Sequence, residues 1–173
     1  MSDPVDPKAR FKFALVALLC AVAMLGGAAT FLLRTQQAPN VAFTSLDGKR
    51  FTTADLRGQV VLVNFFATSC AICVHEMPKM VETYQRYHAR GLDFVAVAMQ
   101  YDAPSYVVDY AQSRQLPFKV AFDAHGEAAD RFGDVDATPT TFVVDKQGRI
   151  IARYVGEPDF DALDRLIEKQ LNA

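Results

Sequence analysis

Two cysteines three positions apart, Cys70 and Cys73, are the residues of this chain best suited to covalent chemistry. They follow a short apolar run, Val60-Val61-Leu62-Val63-Asn64-Phe65-Phe66, and open a stretch with helical periodicity, so the pair stands at a strand-to-helix junction. A cysteine at the start of a helix faces unpaired backbone N–H groups and the positive end of the helix dipole. That setting favours thiolate over thiol, and thiolate is the species that exchanges disulfides. Cys73, one turn on, shares the face of Cys70 and can attack a mixed disulfide formed there. The expected roles are Cys70 as the exposed nucleophile and Cys73 as its shielded resolver, with a reversible Cys70–Cys73 disulfide closing the cycle. Ala71 and Ile72 between them add no charge and no donor, so the Cys70 pKa is expected to be lowered but not extreme.

Other uses of the pair fit less well. Tetrahedral zinc needs four ligands, yet no second cysteine pair follows, and His75, His88 and His125 are scattered. Covalent haem attachment needs histidine directly after the second cysteine; Val74 stands there and His75 comes one position late. A structural disulfide over so short a loop would stabilise little. A copper-binding assembly factor could use both thiolates as soft ligands but wants a further His or Met, and Met77 is nearest in sequence. A peroxiredoxin-like peroxidase wants a Pro-x-x-x-Thr-x-x-Cys loop, and no proline stands near Thr68. Thiol exchange itself requires no cofactor and no metal.

A second motif can complete the site. Phe132-Gly133-Asp134-Val135-Asp136-Ala137-Thr138-Pro139-Thr140 ends an acidic loop with a proline that opens a strand. An X-Pro bond is where a cis peptide is tolerable. A cis Thr138–Pro139 bond would turn the backbone of residue 138 towards the dithiol, where it could pair with an extended substrate; an ordinary trans proline would only begin the strand.

The elements that must hold these residues read clearly. Val41-Ala42-Phe43 and Arg50-Phe51-Thr52 flank an Asp-Gly turn, which predicts a hairpin. Residues 60–66 and 92–99 are short β-branched or aromatic runs, read as strands buried on both faces. Residues 71–90 form a helix between them that stops at Gly91 and should kink at Pro78. Residues 104–115 read as a helix, 119–122 as a strand and 126–132 as a short helix or turn. Residues 140–144 and 149–154 are a second hairpin, and 159–171 an amphipathic closing helix. This order describes one layered α/β domain: a central mixed β-sheet flanked by helices, with an N-terminal β-hairpin.

Ahead of the domain, Phe13 to Leu33 are free of charge. As a helix they would reach roughly 30 Å, a bilayer's hydrocarbon thickness. Lys8, Arg10 and Lys12 precede them and Arg34 follows, which favours an N-terminus in the cytoplasm and everything after Arg34 outside it. The expected layout is a cytoplasmic segment 1–12, a transmembrane signal-anchor 13–33, a linker 34–40 and a soluble domain 41–173. A cleaved signal peptide is the competitor, with Gly26-Gly27-Ala28-Ala29 as its small-residue site, but apolar residues continue through Phe31-Leu32-Leu33. Cys20 inside the span is read as a small apolar filler.

Composition excludes broader classes. The 173 residues are 51% hydrophobic and carry 18 basic against 20 acidic side chains, with 13 Phe. Such a chain buries a core and is not disordered. It has no basic surplus with which to neutralise phosphates, so nucleic acid is not an expected partner.

Taken together, GQVVLVNFFATSCAIC, then Glu76-Met77-Pro78, then DVDATPTTFVVDKQGRI resemble the membrane-anchored thioredoxin-like proteins of the TlpA/ResA/CcmG group, over roughly residues 38–171. The resemblance implies a thioredoxin-like fold and an extracytoplasmic thiol–disulfide oxidoreductase in the cytoplasmic membrane. It implies a reductant fed by a membrane electron donor of the DsbD/CcdA type, with client proteins such as apocytochrome c or copper-site proteins. It assigns Cys70 and Cys73 as the redox pair and places Thr138 and Pro139 at the substrate. Glu76 matches the group's acidic position, where a partly buried carboxylate would raise the thiol pKa values and handle protons. His75, Arg57, Lys79 and Arg86 are read as surface groups and Asn64 as a hydrogen-bonded core residue. Three positions depart from the group: Ser69 where an aromatic is usual, Ile72 in place of proline, and Val74 in place of a basic residue. All three lie beside the sulfurs, where potential and client choice are set.

Overall fold

The computed structural model describes residues 36–173. The expected membrane span 13–33, its flanks 1–12 and 34–35, and Cys20 lie outside the described residues.

Two runs of seven apolar-dominated residues make the centre of the sheet because neither has a face to offer to water. Strands β3 (Val60–Phe66) and β4 (Leu92–Ala98) are buried at every position. They pair in parallel, with Val60 opposite Leu92 and Phe66 opposite Ala98. Strand β5 (Lys119–Phe122) extends this side in parallel to β4. On the other side β6 (Thr140–Val144) runs antiparallel to β3, and β7 (Ile150–Val155) antiparallel to β6. The order across the sheet is therefore β5-β4-β3-β6-β7. The N-terminal hairpin, β1 (Ala42–Thr44) with β2 (Arg50–Thr52), forms a separate two-stranded sheet. Residues 36–38, expected to be linker from their composition, run along the second hairpin instead: Ala38 N donates to Gly148 O and Ile150 N to Gln36 O.

Side chains alternate across a strand, and β3 divides two cores accordingly. Val60, Leu62 and Phe66 join Met77, Met80, Val107, Leu163 and Ile167 on one face. Those partners come from α1 (Ala71–Tyr87), α2 (Pro104–Ser113) and α4 (Phe160–Leu171). Val61, Val63 and Phe65 turn to the other face, against the hairpin's Phe43 and against Ala128 and Ala129 of the short α3 (Glu127–Arg131). This is the thioredoxin-like α/β architecture, with its three longer helices sharing one face. Helix α1 passes through Pro78, and its last turn tightens at residues 88–90 before Gly91, whose φ of +104° ends it.

Phe65 is the hub of the second core, fully buried, with its ring edge-on to Phe132 at 5.5 Å and to Phe142 at 6.0 Å. Phe65→Ala removes that volume where rigid strands cannot collapse into the gap. Urea titration is expected to show a loss of about 3–5 kcal/mol.

Candidate active site

The topology brings three segments to one edge of the sheet. β3 and β4 are parallel, so the loop after β3 and the turn after β4 emerge side by side. β6 is antiparallel to β3, with Phe65 opposite Thr140, so the residues leading into β6 arrive at the same edge.

The loop after β3 delivers Cys70 as the N-cap residue of α1, a position usually held by a side-chain oxygen. Its Sγ accepts a hydrogen bond from the Cys73 amide at 3.2 Å. The same sulfur lies 3.5 Å from the Thr138 carbonyl oxygen, towards which a thiol proton is donated. The Thr138–Pro139 peptide is cis, and Pro139 is buried. Cys70 is partly exposed and Cys73 fully buried, and both are free thiols.

The two sulfurs are inequivalent in acidity. Burial pushes the Cys70 thiol up, but hydrogen bonds from Cys73 together with contacts to Thr138 and the Ile72 amide outweigh it, leaving Cys70 below its ordinary value of 9.0. Burial pushes Cys73 to about 12, and the adjacent Cys70 sulfur adds to the shift. The lowered Cys70 value agrees with the expectation from the helix start. The charge-free Ala71-Ile72 pair does contribute, through the backbone of Ile72 rather than a side chain.

Glu76 lies one turn below Cys73 and is 0% exposed, more completely buried than the partly buried carboxylate expected from sequence. Its Oε1 accepts from Asn64 Nδ2 at 3.0 Å, and the same amide donates to Thr141 Oγ1 at 2.9 Å. Glu76 Oε2 and Asn64 Oδ1 are buried without a hydrogen-bond partner. Burial raises the Glu76 carboxyl from an ordinary 4.5 to about 7; the Asn64 bond opposes the shift and the charge of Glu157 adds to it. Glu157 belongs to the loop after β7, which is tied to the site where Gly156 N donates to Pro139 O at 2.8 Å. It meets His75 at 3.1 Å and Lys79 at 3.6 Å, so both surface side chains have a partner in Glu157. Met77, the thioether weighed as a copper ligand, is buried in the core. Among the described residues, no cluster of three His, Cys, Asp or Glu side chains stands ready to hold a metal ion.

Two residues at this edge have no signature in sequence. Tyr101 and Asp102, in the turn after β4, reach across to both sides of the dithiol. The Tyr101 hydroxyl is 3.3 Å from Thr138 Oγ1, and the Asp102 carboxylate accepts from Thr68 N and Thr68 Oγ1, each at 2.6 Å. Asp102 stands two residues before Pro104, which opens α2, but it does not cap that helix. Ala103 is the N-cap of α2, without a side-chain bond, and the carboxylate points elsewhere.

A buried strand, a CxxC pair at the following helix start and a cis proline opposite it define a thiol–disulfide oxidoreductase of thioredoxin-like fold. Comparison with known proteins agrees. The chain belongs to the Redoxin family, which it matches over residues 34–167. It is similar to the thiol-disulfide oxidoreductase ResA of Bacillus thuringiensis subsp. konkukian, 34% identical over 134 residues, covering 78% of this chain and 76% of the relative. ResA of Bacillus subtilis is 29% identical over 147 residues, covering 82% and 81% of the two chains. Among solved structures, a thiol:disulfide interchange protein of the thioredoxin family from Chlorobium tepidum superposes with a TM-score of 0.72 at 31% identity, over 80% of this chain and 97% of that one.

Proposed function

We propose that this oxidoreductase works outside the cytoplasm, held to the membrane through residues 13–33, and that it reduces disulfides in client proteins. The observation that carries the reading is the pairing of a partly exposed, acidified Cys70 with a fully buried Cys73 held as a thiol directly beneath it. The Cys70 thiolate attacks one sulfur of a client disulfide, forming a mixed disulfide and releasing the other client sulfur as a thiolate. The client chain lies extended beside Thr138 and Pro139, with the Thr138 backbone next to the attacking sulfur. Cys73 then loses its proton and attacks Cys70 Sγ, which expels the second client thiolate and leaves a Cys70–Cys73 disulfide. Two electrons have passed to the client. Glu76, with an acidity near neutral and one unpartnered oxygen, accepts the proton that Cys73 must lose. A membrane electron donor of the DsbD/CcdA type would restore the dithiol. Apocytochrome c or copper-site proteins are the client types the sequence resemblance favours.

Among the described residues no helix is long and apolar enough to cross a membrane, so anchoring rests on residues 13–33. A membrane-impermeant maleimide added to intact cells is expected to label Cys70 in a chain whose other cysteines are serine; labelling only after lysis would contradict the location. For the mechanism, a Cys73→Ser chain incubated with an oxidised client should accumulate a client adduct on Cys70 that dithiothreitol releases. Cys70→Ser should accumulate none. Equal trapping by both variants would overturn the division of roles.

A further inference from the structure

We propose that the turn between β4 and α2 braces the dithiol, with Asp102 as a positioning residue that sets where Cys70 stands. The proposal rests on the reading of Cys70 as the attacking sulfur. Its observations are geometric. Asp102 is 7% exposed, and its two carboxylate oxygens are engaged by one residue: Oδ2 accepts from the Thr68 amide and Oδ1 from the Thr68 hydroxyl, both at 2.6 Å. Hydrogen bonds to an ionised acceptor are about twice as strong as neutral ones, and a two-point grip fixes direction as well as distance. Thr68 lies two residues before Cys70, inside a turn closed by Cys70 N donating to Ala67 O at 3.1 Å. The grip therefore acts on the turn that carries the sulfur.

The brace is itself anchored. Met99 N donates to Phe66 O at 3.0 Å, joining the end of β4 to the end of β3, and Asp102 N donates to Met99 O at 2.9 Å. From the same turn Tyr101 reaches Thr138, whose carbonyl oxygen stands 3.5 Å from Cys70 Sγ. One short turn thus holds both walls between which a client disulfide must enter. Ser69, between Thr68 and Cys70, is exposed, so the backbone there depends on its neighbours for position. The hydrogen bonds that acidify Cys70 need its sulfur within reach of the Cys73 amide, and a loosened turn weakens them.

Thr68→Val tests this because it removes one bond of the grip without altering the titratable groups that face the site in the background used: Glu76 on α1, Tyr101 and Asp102 on the turn, Tyr110 on α2 and Glu157 after β7. The rate of Cys70 alkylation against pH is the readout, in a chain carrying Cys73→Ser. Thr68→Val should move the midpoint up so that the rate near neutral pH falls about threefold, and Thr68→Ser, which keeps both donors, should restore the parent profile. A Thr68→Val profile identical to the parent's would overturn the proposal even if the variant melts at a lower temperature. Should Thr68→Val fail to fold, amide exchange in the unmodified chain decides. Corrected for intrinsic rates, the Thr68 N–H should exchange at least about tenfold more slowly than that of Ser69, and equal rates would overturn the brace. A parent chain in which Cys70 does not react at all would instead overturn the reading of Cys70 as nucleophile, a distinct result.

Discussion

Iodoacetamide at neutral pH is expected to modify Cys70 of the fully reduced chain much faster than Cys73, with rates differing by roughly thirtyfold or more before steric access is counted. The reason is the gap in acidity between two sulfurs one helical turn apart. Cys73 is driven to about 12 by burial, and Cys70 is held below 9.0. Three or more tenfold steps in acidity translate into an equal ratio of thiolate populations at any pH well below both values, about half of which is offset in the rates because the more acidic thiolate is intrinsically the weaker nucleophile. Steric access pushes the same way, since Cys73 has no exposed surface. Peptide mapping after brief alkylation measures the ratio directly. Comparable labelling of both cysteines would mean that the helix start does not discriminate between them, and the order of attack and resolution would lose its basis.

Glu76→Gln yields the second large effect, on stability as a function of pH. The Glu76 carboxyl is raised from 4.5 to about 7 in the folded chain, so the native state holds a proton that the unfolded state has released between those values. Where the native state binds more protons, stability falls as pH rises. The wild-type chain therefore loses stability through this group from about pH 4.5 to about pH 7, by about 3 kcal/mol in all at ~1.4 kcal/mol per tenfold step. Glutamine keeps the acceptor for Asn64 Nδ2 and carries no charge to desolvate, so it reproduces the protonated glutamic acid. Denaturant titrations are expected to show the two chains alike near pH 4.5 and Glu76→Gln more stable by about 3 kcal/mol above pH 8. Parallel stability curves across this range would show that Glu76 is not the group titrating. If Glu76 also takes the Cys73 proton, the variant will release clients from the mixed disulfide more slowly, while the first attack by Cys70 keeps its rate.

Much of this molecule was legible before any coordinates. The runs 60–66 and 92–99 were readable as central strands because each is short, rich in β-branched or aromatic residues and apolar at all but one or two positions, Asn64 and Asp93 among them, and Gly91, whose backbone is left-handed, marked the end of the long helix. The CxxC spacing and its place after a strand were enough to forecast an acidified first cysteine. The full burial of Glu76 was less legible. Its neighbours His75 and Lys79 are exposed, and only the three-dimensional position of Asn64, a polar residue on an otherwise apolar strand face, reveals where the carboxylate goes. Asp102 and Tyr101 were invisible for a different reason. Their partners Thr68 and Thr138 lie 34 and 37 residues away, and no local pattern encodes a contact made by sheet topology. The short segment 36–38 read as linker because its residues are polar, yet its backbone bonds to the second hairpin, an interaction to which side-chain composition is blind.

The claim on which the rest depends is that Cys70 and Cys73 form one reversible two-electron couple. Equilibration of the purified chain across a series of glutathione redox ratios, followed by acid quench and intact-mass measurement, tests it most directly. A single transition is expected, between a dithiol and a form lighter by two hydrogens whose proteolytic map joins Cys70 to Cys73, traversed identically from either direction. Two free thiols at every ratio, or glutathione adducts accumulating independently on each cysteine without an internal bond, would contradict it.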